Sequence, residues 1–166
     1  TLSSSSAASD VYKRQPLGGG PEINLRLPAL IPEDYLPDVH ARLILYKRIA
    51  SATDEDGLKD LQVEMIDRFG LLPEPTKNLI RLTLLKLQAE QLGIKKVDGG
   101  PQGGRIEFAT DTPVDPLALI KLIQGQPKRY KFEGATLFKF MVPMERPEER
   151  FNTLEALFER LTPKSA

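Results

Sequence analysis

Residues 42–73 read RLILYKRIASATDEDGLKDLQVEMIDRFGLLP, and this stretch decides the fold class. Apolar side chains recur at helical spacing in two runs. Leu43, Tyr46, Ile49 and Ala50 form the first; Leu58, Leu61, Met65, Ile66 and Phe69 form the second. Between them Ser51 and Thr53-Asp54 offer side-chain oxygens to the free amides of a second helix. Gly70 stands where a left-handed residue would end that helix, and Pro73 forbids its continuation. The stretch predicts two helices joined by a short polar turn, with Phe69 as a core ring at the end of the second.

The second helix carries a feature that packing does not require. Asp60, Glu64 and Asp67 stand at i, i+4 and i+7, so their carboxylates line one stripe beside the apolar face. Like charges at this spacing disfavour a helix by roughly 0.2–0.5 kcal/mol per pair unless a cation is near. Two readings follow. The stripe is a solvated face relieved by Lys59 and Arg68, or it is a docking surface for a basic partner. Lying off the apolar face, the carboxylates are expected to be dispensable for the fold itself.

Outward from this pair, Glu22–Leu30 alternates Ile23, Leu25 and Leu27 as a short strand ended by Pro28. Asp38 opens the first helix. A third helix is expected from Thr76 to Leu92, apolar nearly all round and therefore the most buried element, with Gly93 as its stop. The period then changes from 3.6 to 2. Ile94–Asp98 and Arg105–Ala109 read as strands around the loose hairpin loop GGPQGG. Asp115-Pro116 starts a helix to Ile123, with the aspartate as cap and the proline in its favoured first position. Tyr130–Glu133 and Leu137–Val142 form two more strands turned at Gly134, and Glu148–Leu161 is an amphipathic closing helix. The class is α+β: an amino-terminal helical half of three helices, then a small, mostly antiparallel sheet with one intervening helix and a carboxy-terminal helix.

Residues 1–15, TLSSSSAASDVYKRQ, lack any apolar period and read as a non-native or disordered tail. Residues 16–21, PLGGGP, read as a flexible linker, and 22–163 as one domain. With 23 basic and 23 acidic side chains the charges cancel, which speaks against a dedicated nucleic-acid or membrane-surface module. No apolar run is long enough to span a bilayer. The absence of cysteine removes thiol chemistry and cysteine–zinc sites, and it fits a cytoplasmic protein.

Little in the chain points to catalysis. No glycine-rich turn ends in Lys-Ser or Lys-Thr, so no triphosphate is cradled in the P-loop manner; GGPQGG joins two strands and opens no helix. His40 is the single histidine and is expected to face solvent. Glu33 and Asp34 sit in a proline-flanked turn without a pocket. Lys95, Lys96 and Arg105 with Lys128, Arg129 and Lys131 would make a modest basic edge on the β half, the basis of an alternative reading as a nucleic-acid-binding accessory domain. No catalytic, metal-binding or cofactor-binding residue is expected.

Whole segments carry a resemblance. EINLRLPALIPEDYLPDVHARLILYKRIASA, then LQVEMIDRFGLLPEP, LKLQAEQLGIKKVD and GGRIEFA, are similar to the carboxy-terminal domain of bacterial transcription-repair coupling factors, the Mfd family. YKRIASA and IDRFGLLP are its most specific parts, and the likeness runs from Glu22 to Pro163. It implies a parent that is an ATP-dependent DNA translocase, which displaces stalled RNA polymerase and recruits UvrA. ATP, magnesium and DNA would belong to motor domains outside this chain. The domain itself would be a non-catalytic clamp, packed on the parent's UvrB-like module and masking the UvrA-binding surface. By the same resemblance Glu64 and Asp67, adjacent to Arg68 and in line with Asp60, would meet basic residues of that module.

Overall fold

The computed structural model describes residues 20–163. The expected tail and the linker up to Gly19 lie outside the described residues. The element order is β1 (Glu22–Asn24), α1 (Val39–Ala50), α2 (Glu55–Phe69), α3 (Glu74–Gln91), β2 (Ile94–Gly100), β3 (Gly103–Phe108), α4 (Pro116–Gly125), β4 (Tyr130–Glu133), β5 (Leu137–Phe140) and α5 (Pro147–Leu161). The fold is α+β, as the change of period predicts. Described residues 28–87 form one compact unit, and 21–27 with 88–163 form another; α3 runs through the division.

In the helical unit, Asp38 caps α1 by accepting from the His40 amide, and Asp54 caps α2 by accepting from the Gly57 amide at 2.7 Å. Gly70 ends α2 at φ +98, donating to the Ile66 carbonyl. The core comprises Ile31, Leu36, Leu45, Ile49, Leu58, Leu61, Met65, Leu72 and Ile80. Two expectations of phase are corrected. In α1 the inward residues are Leu45 and Ile49, whereas Leu43 and Ala50 are exposed; Leu43, Ile44 and Leu45 are all apolar, so the pattern left the facing residue open. In α2, Ile66 is 39% exposed and Phe69 is half-buried rather than a core ring. Phe69 instead lies edge-on to Tyr35, with ring centroids 6.1 Å apart.

Helix α3 starts at Glu74, two residues earlier than predicted, because Pro75 falls in the first turn where its missing N–H is not needed. The Pro73 carbonyl accepts from the Thr76 and Lys77 amides. Its burial is also less uniform than expected. Thr76, Ile80, Leu85 and Ala89 are buried, while Leu79, Leu82, Leu84 and Leu87 are half-buried. Segment 28–31 is tied to α3 by Thr76 and Asn78, whose side chains donate to the Leu30 and Pro28 carbonyls at 3.0 Å each.

The other unit is a five-stranded sheet of order β1-β2-β3-β5-β4, with β1 parallel to β2 and the remaining pairs antiparallel. Val97, Ile106, Phe108, Phe138 and Phe140 are buried, as are Phe151, Leu154, Leu157 and Phe158 of α5. Asp115 caps α4 as predicted. Strand β1 is shorter than its alternation suggests: Arg26 takes a left-handed φ of +55 and ends the extended run before Pro28. GGPQGG is no loose loop. Gly99 pairs with Gly104 and Gly100 with Gly103 inside the ladder, leaving Pro101-Gln102 as a tight turn. A Cβ on Gly104 would stand 2.1 Å from the Asp98 carbonyl oxygen, so only glycine fits there.

Candidate docking surface

Helix α2 presents the predicted stripe, and the structure separates its members. Glu64 lies between two guanidiniums. Arg48 of α1 meets it with both forks, Nη1 to Oε2 at 2.5 Å and Nη2 to Oε1 at 2.8 Å. Arg68, one turn further along α2, reaches Oε2 at 3.2 Å. The Arg48 hydrogen bond is the main reason the Glu64 carboxyl is held at about 2, well below its ordinary 4.5; the weaker bond from Arg68 and the two positive charges add to it. Arg48 is correspondingly raised. Arg68 also sits 4.8 Å above the Phe69 ring, so its charge is shared between the carboxylate and the ring face.

Asp60 and Asp67 are different. Both are exposed, and neither has an ion pair among the described residues. Lys59, expected to relieve the stripe, turns to Glu55 at 3.5 Å instead. Val63, 60% exposed, sits between the two aspartates on the helix surface. The face is therefore two unpaired carboxylates with the exposed Val63 between them, beside a charge-paired Glu64. Glu64 also links α1 to α2 through the exposed Arg48 pair. Periodicity missed Arg48, which stands 16 residues away and meets Glu64 only through tertiary packing. It also missed Val63, whose exposure emerges only once the buried face is known.

A family model described as the TRCF domain matches residues 25–119, which include α1, α2 and the whole stripe. The transcription-repair-coupling factor of Escherichia coli K12 is 44% identical over 140 residues, 84% of this chain and 12% of that protein. The chain belongs to the transcription-repair coupling factor family. The Haemophilus influenzae factor is 52% identical over 120 residues, 72% of this chain and 10% of its own length. The chain thus spans about a tenth of the length of these relatives. A crystal structure of the C-terminal domain of transcription-repair coupling factor superposes with a TM-score of 0.73 at 23% identity, over 86% of this chain and 92% of that one, a likeness of fold.

Elsewhere in this transcription-repair coupling factor domain, the basic edge predicted on the β half does not gather into one strip. Lys95 and Lys96 belong to β2, whereas Lys128, Arg129 and Lys131 lie at and just before β4, with β3 and β5 between. Acidic side chains interrupt it: Lys96 pairs across the ladder with Glu107 and lies 3.9 Å from Asp98, and Arg105 faces Asp98 across the same ladder. His40 is exposed, as are Glu33 and Asp34. Among the described residues no group of three or more His, Asp or Glu side chains could hold a metal ion, and no helix is long and apolar enough to cross a membrane.

Proposed function

We propose that this chain is a non-catalytic regulatory domain of a transcription-repair coupling factor, docked through the α2 stripe on a basic surface of its parent's UvrB-like module. Docked there, it masks the surface that UvrA binds. ATP hydrolysis, DNA translocation and RNA polymerase displacement then belong to other segments of the parent. The supporting observation is the pair of exposed aspartates, Asp60 and Asp67, unpaired on either side of Val63.

The magnitudes allow a switch. Exposed ion pairs contribute up to about 1 kcal/mol each, whereas disrupting desolvated ones at an interface costs about 2–5 kcal/mol. Since about 1.4 kcal/mol is tenfold in population, loss of this contact opens a closed clamp substantially. The test is Asp60→Lys with Asp67→Lys in the full-length protein. UvrA affinity should rise while the isolated chain melts as before, because both side chains are exposed and unpaired within it. Glu64 is left in place, since a lysine there would face Arg48 and Arg68. Unaltered UvrA binding would put the clamp contact somewhere other than this stripe.

A further inference from the structure

On the outward face of the sheet a hollow is lined by Arg26, Asp98, Arg105, Lys139 and Met141, with the glycine hairpin at its base. The base is bare backbone. A Cβ on Gly100 would lie 2.9 Å from Nη1 of Arg26, and one on Gly103, at φ +140, would stand 2.1 Å from the Phe140 carbonyl oxygen. Side chains are thus excluded beside Arg26, at the base of the hollow that Arg105 also lines. Arg105 is the cross-strand neighbour of Lys139, so both project from the same face.

Arg26 is held in place by an arrangement that its own conformation disfavours. It is the one non-glycine residue at positive φ among the described residues. The buried Arg150 fixes it there, donating from Nη1 to the Leu25 and Arg26 carbonyls at 3.0 and 3.2 Å, while Asn24 Oδ1 accepts from the Arg26 amide. A strained backbone kept by a buried guanidinium points to a use for the side chain it aims. The Arg26 guanidinium lies over Gly100, and neither it nor Arg105 makes a side-chain hydrogen bond or close ion pair among the described residues, although Asp98 faces Arg105 across the ladder and Glu133 feels its charge. Lys139 is occupied by Glu133 at 2.6 Å, and Asp98 has Lys96 at 3.9 Å.

We propose that this hollow binds a phosphate group, gripped between the forks of Arg26 and Arg105. Guanidinium forks match the oxygens of a tetrahedral oxyanion, and a base without side chains lets the group approach the backbone. Asp98 opposes an anion, which restricts the site to a ligand that engages both arginines together.

The test is an NMR titration of the isotopically labelled chain with inorganic phosphate, then with a short single-stranded oligonucleotide. The Gly100 and Gly103 amides and the Arg26 and Arg105 side-chain N–H groups report the site. Saturable shifts at these groups are expected, weakened about tenfold or more by Arg26→Gly. That variant keeps the fold, because glycine accepts φ +55. Should it unfold, Arg105→Gln on an exposed side chain carries the same comparison. An oligonucleotide that binds these groups more tightly than phosphate, with affinity falling steeply in salt, identifies a nucleic-acid backbone as the source. Equal or weaker binding identifies a free phosphate or small ester. Shifts that never saturate, that fall at Lys128–Lys131 instead, or that survive both substitutions overturn the proposal.

Discussion

Glu64 shows how one side chain of a surface pattern can be claimed by a partner remote in sequence. Its sequence neighbours suggest a solvated acid, yet both carboxylate oxygens are taken by Arg48 and one is shared with Arg68. Its carboxyl is held at about 2 in the fold against an ordinary 4.5. A depressed acid stabilises the fold fully above its unfolded value, and that contribution is lost as pH falls through the folded one. The relevant window therefore runs from about 4.5 down to about 2. Because the group lies at the surface, salt should shrink the effect. Glu64→Gln is expected to flatten the fall of the urea midpoint across that window while changing little in the shape of the curve above it. Direct carboxyl titration by NMR gives the complementary reading, and a midpoint near 4.5 would show that the Arg48 clamp does not form in solution.

At the scale of elements, much of the fold is legible because caps and punctuation are local. Asp38, Asp54, Asp115, Gly70 and Gly134 act where their chemistry says they should. Phase is less legible when apolar residues are adjacent. Leu43, Ile44 and Leu45 offer three inward choices, and only packing against Ile31, Leu36 and α2 selects Leu45. Phe69 misleads for a related reason: a ring at a helix end can rest on a neighbouring tyrosine and arginine without entering the core. The stripe itself was readable from spacing, but which of its carboxylates stay unpaired depends on the remote Arg48. These differences have a measurable consequence. Met65 is fully buried, so Met65→Ala should destabilise by about 2–5 kcal/mol. Phe69→Ala should fall below that despite removing a larger side chain, because the ring is only half-buried. Chemical denaturation of both variants decides the matter, and a larger loss for Phe69→Ala would mean that the ring is a core residue after all.

At the scale of the whole molecule, the described residues own two separate sets of buried apolar side chains, and α3 is continuous through the division after Leu87. Stability in such a chain need not be uniform, since each set can open on its own while the other persists. A matched pair of substitutions distinguishes this from a single cooperative body. Ile49 in the helical unit is 2% exposed and Ile106 in the sheet unit is 0% exposed. Trimming either to valine removes one methylene, which typically costs about 0.5–1.5 kcal/mol. That corresponds to roughly 2- to 13-fold faster exchange of the amides whose opening is affected. Ile49→Val should therefore accelerate native-state hydrogen exchange at Leu45, Leu61 and Ile80 and leave Val97 and Phe138 unchanged. Ile106→Val should do the reverse. Within α3 the crossover should fall between Leu85 and Ala89, since an unbroken hydrogen-bonded helix can fray from one side without melting on the other. If each variant instead accelerates both sets by the same factor, the helix transmits every opening and the two units unfold as one.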